Sequence, residues 1–265
     1  MTLPQVNNMN KIFVLIVVFL VCSLSQAQDK PGYRDTPTIP GQKWKVHDPD
    51  RPQPNVVQPG KSFSENAKAP SDALVLFDGS NLDKWRGGKW KVQDGFMEVT
   101  KGQISTDLPW RDFQLHLEWA SPAVVKGNSQ GRGNSGLFLP GRHEIQILDS
   151  FENPTYPDGS AGSLYGQWPP LVNASRGPGK WQTYDVIFEA PKWDANDKLI
   201  SPGFVTLLHN GVLVHHKKAY NGPTSHKRAS DYKRVQNSRT ISLQDHGNPM
   251  KFRNIWARSI DAYDN

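Results

Sequence analysis

The chain has 265 residues, a formal net charge of +6 and a single cysteine, Cys22. Its positive residues are scattered except between Lys217 and Arg239, and there is neither a helical basic stripe nor an RNA-binding signature. The charge therefore does not favour a nucleic-acid partner, and a solvated basic loop explains that stretch. A lone cysteine excludes a fold held together by disulfides within the chain.

An apolar run from Ile12 to Leu20 lies near the N-terminus and leads to the small-residue sequence Ser25-Gln26-Ala27. The run is shorter than the roughly 20 residues of a membrane span, and the small residues suit a signal peptidase. We predict a signal peptide over residues 1–27 that is cleaved after Ala27, and a protein exported to the periplasm or the outside with no membrane span. A lipoprotein anchor on Cys22 is the alternative, although the preceding valine is larger than such a site prefers.

Residues 28–72 contain eight prolines, few aliphatic residues and no period of 2 or 3.6. Such a segment cannot form a core of its own. Its apolar residues are nevertheless too many for a free linker; they are Tyr33, Trp44, Val46, Val56 and Val57. We predict an extended arm that lies on the surface of the following domain, with its first residues loose.

From residue 73 to residue 262, short runs of β-branched and aromatic residues alternate with Gly, Asn, Asp and Pro, which predicts one all-β domain. Asn210-Gly211 is typical of a two-residue hairpin turn. The predicted strands cover residues 74–77, 89–93, 96–100, 113–119, 136–139, 143–148, 181–189, 204–209, 212–216, 240–244 and 251–259.

Alternation within three of these strands separates an apolar face from a polar one. Strand 113–119 places His116 and Glu118 opposite four large apolar residues, and strand 143–148 places Glu144 and Gln146 opposite two isoleucines. Strand 240–244 places Gln244 on its polar face. If these strands share one curved sheet, their polar faces line a groove.

Such a groove suits a saccharide, because hydroxyl groups need donors and acceptors while the ring needs a flat apolar surface. The candidate aromatic surfaces are Trp85, Trp90, Tyr165 and Trp168, although most tryptophans of a sandwich belong to its core. Trp168 is the strongest candidate, because it lies in a loop. Asp149 ends the strand of Glu144 and adds a third oxygen-bearing side chain, while a solvated outer face is the alternative for this set.

Two loops bring further polar residues to the same rim. The glycine-rich stretch 131–136 lacks the Lys-Ser or Lys-Thr and the helix of a phosphate loop, so we expect it to present Arg132, Asn134 and Ser135. His246 follows the strand of Gln244, and a solvent-exposed turn histidine is the alternative. No cofactor motif is evident. His209, His215 and His216 lack a convincing third zinc ligand.

Six motifs in order along the chain are similar to the 3-keto-disaccharide hydrolase family. They are residues 76–85 (LFDGSNLDKW), 134–136 (NSG), 144–149 (EIQILD), 163–166 (SLYG), 243–247 (LQDHG) and 252–255 (FRNI). The resemblance implies a concanavalin-like, jelly-roll sandwich of two antiparallel sheets that acts on glycosides with a ketone at C3. His143 departs from the family, whose members commonly have Tyr before the Glu, and so puts the local pocket shape in question.

A C3 ketone acidifies the C2 proton, so that a base drives elimination of the C1 substituent and water then adds. We assign the base to Glu144 with Glu118 in reserve, the donors to Gln146 and Arg132, and the acid to His246. The sequence leaves open a divalent metal at the C3 oxygen, the sugar, the linkage and the oligomeric state. The alternatives are a non-catalytic carbohydrate-binding module and an ordinary glycosidase with two carboxylates about 5 to 9.5 Å apart.

Overall fold

A computed structural model describes residues 1–2, 30–232 and 239–260. The predicted signal peptide and its cleavage site lie almost entirely outside the described residues. Within the described parts of the chain there is no α-helix, and no helix long and apolar enough to cross a membrane.

The described residues form fifteen strands and two 3₁₀ turns, Ser129–Gly131 and Pro157–Gly159. The strands are β1 (Asn55–Val56), β2 (Leu74–Phe77), β3 (Trp85–Gln93), β4 (Phe96–Thr106), β5 (Phe113–Ala120), β6 (Asn134–Leu139), β7 (His143–Leu148), β8 (Val172–Asn173), β9 (Gln182–Glu189), β10 (Lys192–Trp193), β11 (Leu199–Ser201), β12 (Phe204–His209), β13 (Val212–Ala219), β14 (Ser242–Leu243) and β15 (Lys251–Ser259). All eleven predicted strands are confirmed, but β3 and β4 are longer than predicted and β14 is shorter. The short pairs β1 with β8 and β10 with β11 were not predicted.

One sheet path runs β13-β12-β9-β5-β15-β4-β14-β6-β7 and folds back on itself as a two-sheet antiparallel sandwich. β15 pairs with β5 along most of its length but with β4 only at Lys251 and Phe252, so the path passes from one layer to the other there. The layers meet across the core, where the Tyr184 hydroxyl of β9 donates to the Gln146 carbonyl of β7 at 2.8 Å. β5 and β7 therefore belong to opposite layers.

The predicted apolar faces form the core between the layers. Fully buried side chains include Leu115, Leu117 and Trp119 of β5 with Ile145 and Ile147 of β7. The prediction that Trp85 and Trp90 line a saccharide groove is wrong. Each tryptophan is 7% exposed and donates its indole N–H to a backbone carbonyl, and Trp90 also stacks on Phe252.

The polar face of β5 is not an open groove, because the arm covers it. The backbone N–H of Asn66 in the arm donates to Glu118 Oε1, and the Ser64 hydroxyl donates to Asp185 at 2.6 Å. Glu118 is completely buried and accepts a 2.7 Å hydrogen bond from Arg253 Nε. The predicted arm thus docks on the outer face of one layer, where a chain of buried charges holds it.

The pKa of Glu118 shows how completely this carboxylate is paired. Burial alone would raise the pKa, but hydrogen bonds from His116, Asn254, the Asn66 backbone and Arg253 together lower it to about 2. A carboxylate with so low a pKa is a weak base. The surroundings of Glu118 therefore do not support its reserve assignment as the catalytic base. Its position in the alternation of β5 also points its side chain away from β7.

We expect Arg253→Ala to lower the free energy of unfolding by about 3 kcal/mol, because it removes the guanidinium that donates to the buried Glu118 carboxylate. The loss should be present above pH 4.5 and should disappear as the pH falls towards 2, since protonated Glu118 needs no cation. Urea unfolding at pH 7 measures the effect.

Arg258→Ala on the same strand is the matched control, because Arg258 pairs with the exposed Asp72 and its loss should change stability little. Equal stability losses for the two variants would contradict the role given to the buried pair.

Candidate active site

Glu144 lies on the outer face of β7, where its carboxyl group faces the backbone of the neighbouring strand β6. A side chain built on Gly136 would place its Cβ only 2.3 Å from Glu144 Oε1 and 3.3 Å from Gln244 Oε1. The missing side chain of Gly136 therefore makes the space in which the Glu144 carboxyl and the Gln244 amide meet. The predicted convergence of these polar faces is found for β7 and for the end of β14.

Glu144 is 6% exposed, and no cation among the described residues pairs with its carboxyl group. Burial raises the pKa of Glu144 to about 8, because nothing offsets the cost of placing a charge where water is excluded. This carboxyl group therefore changes its protonation state around pH 8 rather than around pH 4.5. A pKa close to the working pH is the property expected of a general base.

Gln146 lies beside Glu144 and belongs to a network of buried amides. Its Nε2 donates to Gln130 Oε1 at 2.9 Å and to Asn134 Oδ1 at 3.3 Å, which turns its amide oxygen toward Glu144. Turning the amide by 180° would bring its nitrogen to 3.3 Å from Glu144 Oε1, but it would also place two oxygens 2.9 Å apart at Gln130. The turned amide would also donate to the Ser135 carbonyl at 3.1 Å. In either orientation Gln146 can pair with Glu144, as an acceptor when the carboxyl group is protonated and as a donor when it is charged.

Two loops lie along the outer edge of β7 and bond to the backbone of Glu144. The first, between β7 and β8, supplies Tyr165, whose backbone N–H donates to the Glu144 carbonyl at 3.1 Å. The second, between β13 and β14, supplies Thr224, whose hydroxyl accepts the Glu144 N–H at 3.0 Å. These bonds fix both loops to the strand that carries the carboxyl group.

The Tyr165 hydroxyl lies 2.9 Å from the Tyr156 hydroxyl and 3.1 Å from His226 Nδ1. Burial raises the pKa of Tyr165, and the nearby Glu144 charge raises it further, so the phenol keeps its proton. Tyr165 is half-buried and His226 is exposed, which gives the cluster an open side. The pair can donate a hydrogen bond, or a proton, to an oxygen that enters from solvent.

Two predicted substrate-binding residues, Arg132 and Asp149, are paired with each other. Arg132 Nε donates to Asp149 Oδ2 at 2.8 Å, and its remaining nitrogens donate to the carbonyls of Phe151 and Glu152. The assignment of Arg132 as a donor beside Glu144 is therefore wrong, because the guanidinium donates all of these hydrogen bonds to the loop after β7. Both residues instead line a cavity of about 920 Å³ that does not include Glu144.

The other predicted site residues are divided between the candidate site and its surroundings. Asn134 belongs to the amide network, and the Ser135 hydroxyl donates to the Gln244 carbonyl at 2.7 Å. Trp168 packs against the core, and Lys218 Nζ lies 3.5 Å from its ring centroid, so that face is not an open platform. His246 is exposed and is close enough to His226 for its charge to lower the pKa of His226.

His143, which departs from the family pattern, does not enter the site. Its ring points into the core against Tyr220 at 4.5 Å, and its Nδ1 lies 2.7 Å from the Pro140 carbonyl. Burial lowers the pKa of His143 to about 4, so it is neutral. The pocket around Glu144 is therefore not shaped directly by this residue.

Sequence reasoning missed several residues around Tyr165, which are Tyr156, Asp158, His226, Gln130 and His47 of the arm. They come from loops and from the arm, where no periodicity indicates which way a side chain points. Within the described residues, no group of three or more His, Cys, Asp or Glu side chains is arranged to hold a metal ion.

Comparison with known proteins places the chain in a family. The sequence profile of the 3-keto-alpha-glucoside-1,2-lyase-like domain matches residues 72–258. A 3-keto-disaccharide hydrolase of Bacteroides thetaiotaomicron is 22% identical over 261 residues, covering 76% of this chain and 86% of that protein.

Solved structures of Parabacteroides distasonis proteins agree with the profile. One, described provisionally as a glycosyl hydrolase, is 38% identical with a TM-score of 0.71, covering 87% of this chain and 99% of its own. A second from the same organism is 21% identical with a TM-score of 0.52, covering 71% and 99%, and supports the fold alone. The chain belongs to the family of 3-keto-alpha-glucoside-1,2-lyase-like domains.

Proposed function

We propose that the protein is an enzyme that cleaves glycosides whose sugar carries a ketone at C3, with Glu144 as the base. The observation that carries this proposal is a buried carboxyl group with a pKa of about 8, set among amides and beside a protonated tyrosine. The family description and the name of the Bacteroides relative support the same substrate class.

The proposed reaction has two steps. Glu144 takes the C2 proton, the electron pair forms the C1–C2 double bond, and the glycosidic C1–O bond breaks as the leaving oxygen gains a proton. Water then adds across the double bond, with its hydroxyl at C1 and a proton at C2, to give the free 3-keto sugar. The net change is hydrolysis without an oxocarbenium ion.

The surrounding side chains supply the remaining roles. The side-chain amide of Gln244 makes no hydrogen bond with the described residues. Its NH₂ group is therefore free to donate to the C3 oxygen as negative charge develops there. Tyr165, hydrogen-bonded to His226, is placed to protonate the leaving oxygen. His246, given this role from the sequence, lies farther out at the entrance, where its charge acts on His226.

The two alternative functions fit the geometry less well. An ordinary glycosidase needs a second carboxylate facing the first, but Glu118 lies on the other layer and Asp158 is bound to His47. A binding module has no use for a carboxyl group with a raised pKa, because burying it costs stability. Export, expected from residues 1–27, places the proposed reaction outside the cytoplasm.

We expect Glu144→Gln to lower turnover of a 3-keto glucoside by 10² to 10⁴-fold while affinity for the sugar stays within a few-fold, since the amide keeps the shape but accepts no proton. Steady-state kinetics and binding of the product measure the two effects. Turnover within about threefold of the wild type would remove Glu144 from the mechanism. Glu189→Gln on β9, a partly exposed carboxylate, is the matched control.

The same variant should be more stable than the wild type at pH 7 to 8, by up to about 3 kcal/mol at pH 7. A carboxyl group with a raised pKa contributes its full stability below pH 4.5 and loses it as the pH rises through about 8, whereas Gln does not titrate. Thermal unfolding of the wild type and of Glu144→Gln at pH 4 and at pH 8 measures this difference. The stability gain of the variant should appear only at the higher pH.

We expect Gly136→Ala to lower turnover at least tenfold with little change in stability. The new methyl group would lie 2.3 Å from Glu144 Oε1, and the flexible end of that side chain can move away at small energetic cost, which displaces the base. Gly131→Ala is the control, because its Cβ meets no atom within 4 Å. Unchanged turnover in Gly136→Ala would show that the carboxyl position does not matter.

Paired substrates test the reaction class directly. We expect a 3-keto glucoside to be cleaved at least 10³-fold faster than the same glucoside with a C3 hydroxyl, since only the ketone acidifies the C2 proton. Solvent deuterium should enter C2 of the product. Equal rates for the two glycosides, or product without deuterium, would favour an ordinary glycosidase.

A further inference from the structure

The N-terminal arm makes a second contact with the domain, apart from its contact with β5. Residues 37–46 fold into a small hairpin, in which Thr38 bridges to Lys45 and the Ile39 N–H donates to the Trp44 carbonyl at 2.9 Å. Ile39 and Val46 are each 1% exposed. The hairpin is therefore packed as firmly as the core, and it delivers the next residue, His47, to the loop between β7 and β8.

Asp158 of that loop holds His47 by two hydrogen bonds. The His47 backbone N–H donates to Asp158 Oδ2 at 2.9 Å, and His47 Nδ1 lies 3.2 Å from Asp158 Oδ1. Both side chains are completely buried. Because Asp158 accepts from Nδ1, the arrangement favours the tautomer that leaves Nε2 without a proton, and Nε2 has no partner among the described residues.

The His47 ring forms one wall of the cluster that faces Glu144. Its centroid lies 4.8 Å from Tyr165, 4.1 Å from Tyr156 and, stacked, 5.1 Å from His226. Tyr165 and His226 are the two groups to which the proposed function gives the leaving-group proton. The arm therefore reaches the residues of the proposed chemistry through a single aromatic ring.

The backbone of His47 has a conformation that most residues avoid. Its φ of 59° lies in the left-handed region, which costs energy for a residue other than glycine. The paired hydrogen bonds to Asp158 compensate for the strain and fix the direction of the ring.

We infer that the arm is part of the catalytic site, with His47 as a positioning residue that Asp158 holds against Tyr165 and His226. This inference rests on the proposed function for its effect on turnover, but the contact itself does not. It gives the arm a role beyond covering the sheet: without His47, the tyrosine and histidine lose the wall that sets their orientation toward the substrate.

His47→Asn tests the inference, because asparagine tolerates a positive φ and keeps a donor for Asp158 but removes the ring. We expect kcat for the 3-keto glucoside to fall at least tenfold while KM stays within threefold. Lys43→Ala is the matched control, since it changes an exposed residue of the same hairpin and leaves the buried residues that hold His47 in place. His47→Phe, which keeps a ring but not the hydrogen bond, should fall between the wild type and His47→Asn, and it serves if His47→Asn does not fold.

A second readout does not depend on activity. His226 faces His47, Tyr165, Tyr33, Lys227 and His246, and burial is the largest cause of its lowered pKa. Removing the stacked His47 ring uncovers His226 and should therefore raise its pKa, measured by NMR titration of the histidine ring signals, whereas Lys43→Ala should leave it unchanged.

The outcomes separate this inference from the proposed function. A raised His226 pKa together with a lower kcat supports it. Unchanged kcat in His47→Asn, with or without a shift at His226, overturns it, as does an equal loss of kcat in Lys43→Ala. If the wild type cleaves no 3-keto glycoside, the proposed function fails, and an unshifted His226 then overturns the contact as well.

Discussion

The site depends on burying the Glu144 carboxyl group without a cation beside it among the described residues. Burial excludes water from the carboxyl group, and no positive charge replaces it, so the proton is held more tightly than in solution. Glu118 shows the opposite arrangement within the same protein. It is buried as deeply, yet donors surround it and lower its pKa to about 2. Surroundings, rather than residue type, separate the proposed base from a structural anion.

Among the described residues, the neighbouring strands and loops keep cations away from the buried Glu144 carboxyl group. β6 contributes a glycine where any side chain would displace the carboxyl group, and β14 brings an amide rather than a lysine or arginine to the same space. Thr224 and Tyr165 bind the backbone of Glu144 and leave its side chain without a charged partner. The arm closes the far side of the cluster through His47. Sheet and loops thus both keep the Glu144 carboxyl group uncharged by its neighbours, while the arm contacts Tyr165 and His226.

Much of the fold could be predicted from the sequence, because alternation records which face of a strand is buried. It located β5, β7 and the hairpin at Asn210-Gly211, where both residues have the positive φ angles that this turn requires. Alternation does not say which layer a strand joins. Glu118 and Glu144 each looked like a carboxylate on a polar face, yet the chain path places them on opposite outer surfaces of the sandwich.

The loops and the arm resisted prediction for a different physical reason. Arg132 was expected to reach a ligand, but a guanidinium close to a carboxylate in the same loop pairs locally first, and Asp149 takes it. Trp168 was expected to be an open platform, but a loop tryptophan supplies enough apolar area to be drawn onto the core and capped by Lys218. His47 lies in a segment without periodicity, so only its tertiary contact with Asp158 reveals its place.

The central claim is that Glu144 holds its proton up to near-neutral pH. The most direct test is a carbon-13 NMR titration of the glutamate side-chain carboxyl groups, with the Glu144 signal assigned by its absence from Glu144→Gln. The account predicts that this signal titrates near pH 8. A midpoint near 4.5 would show that the carboxyl group is solvated or paired, and would contradict both the raised pKa and the role proposed for Glu144.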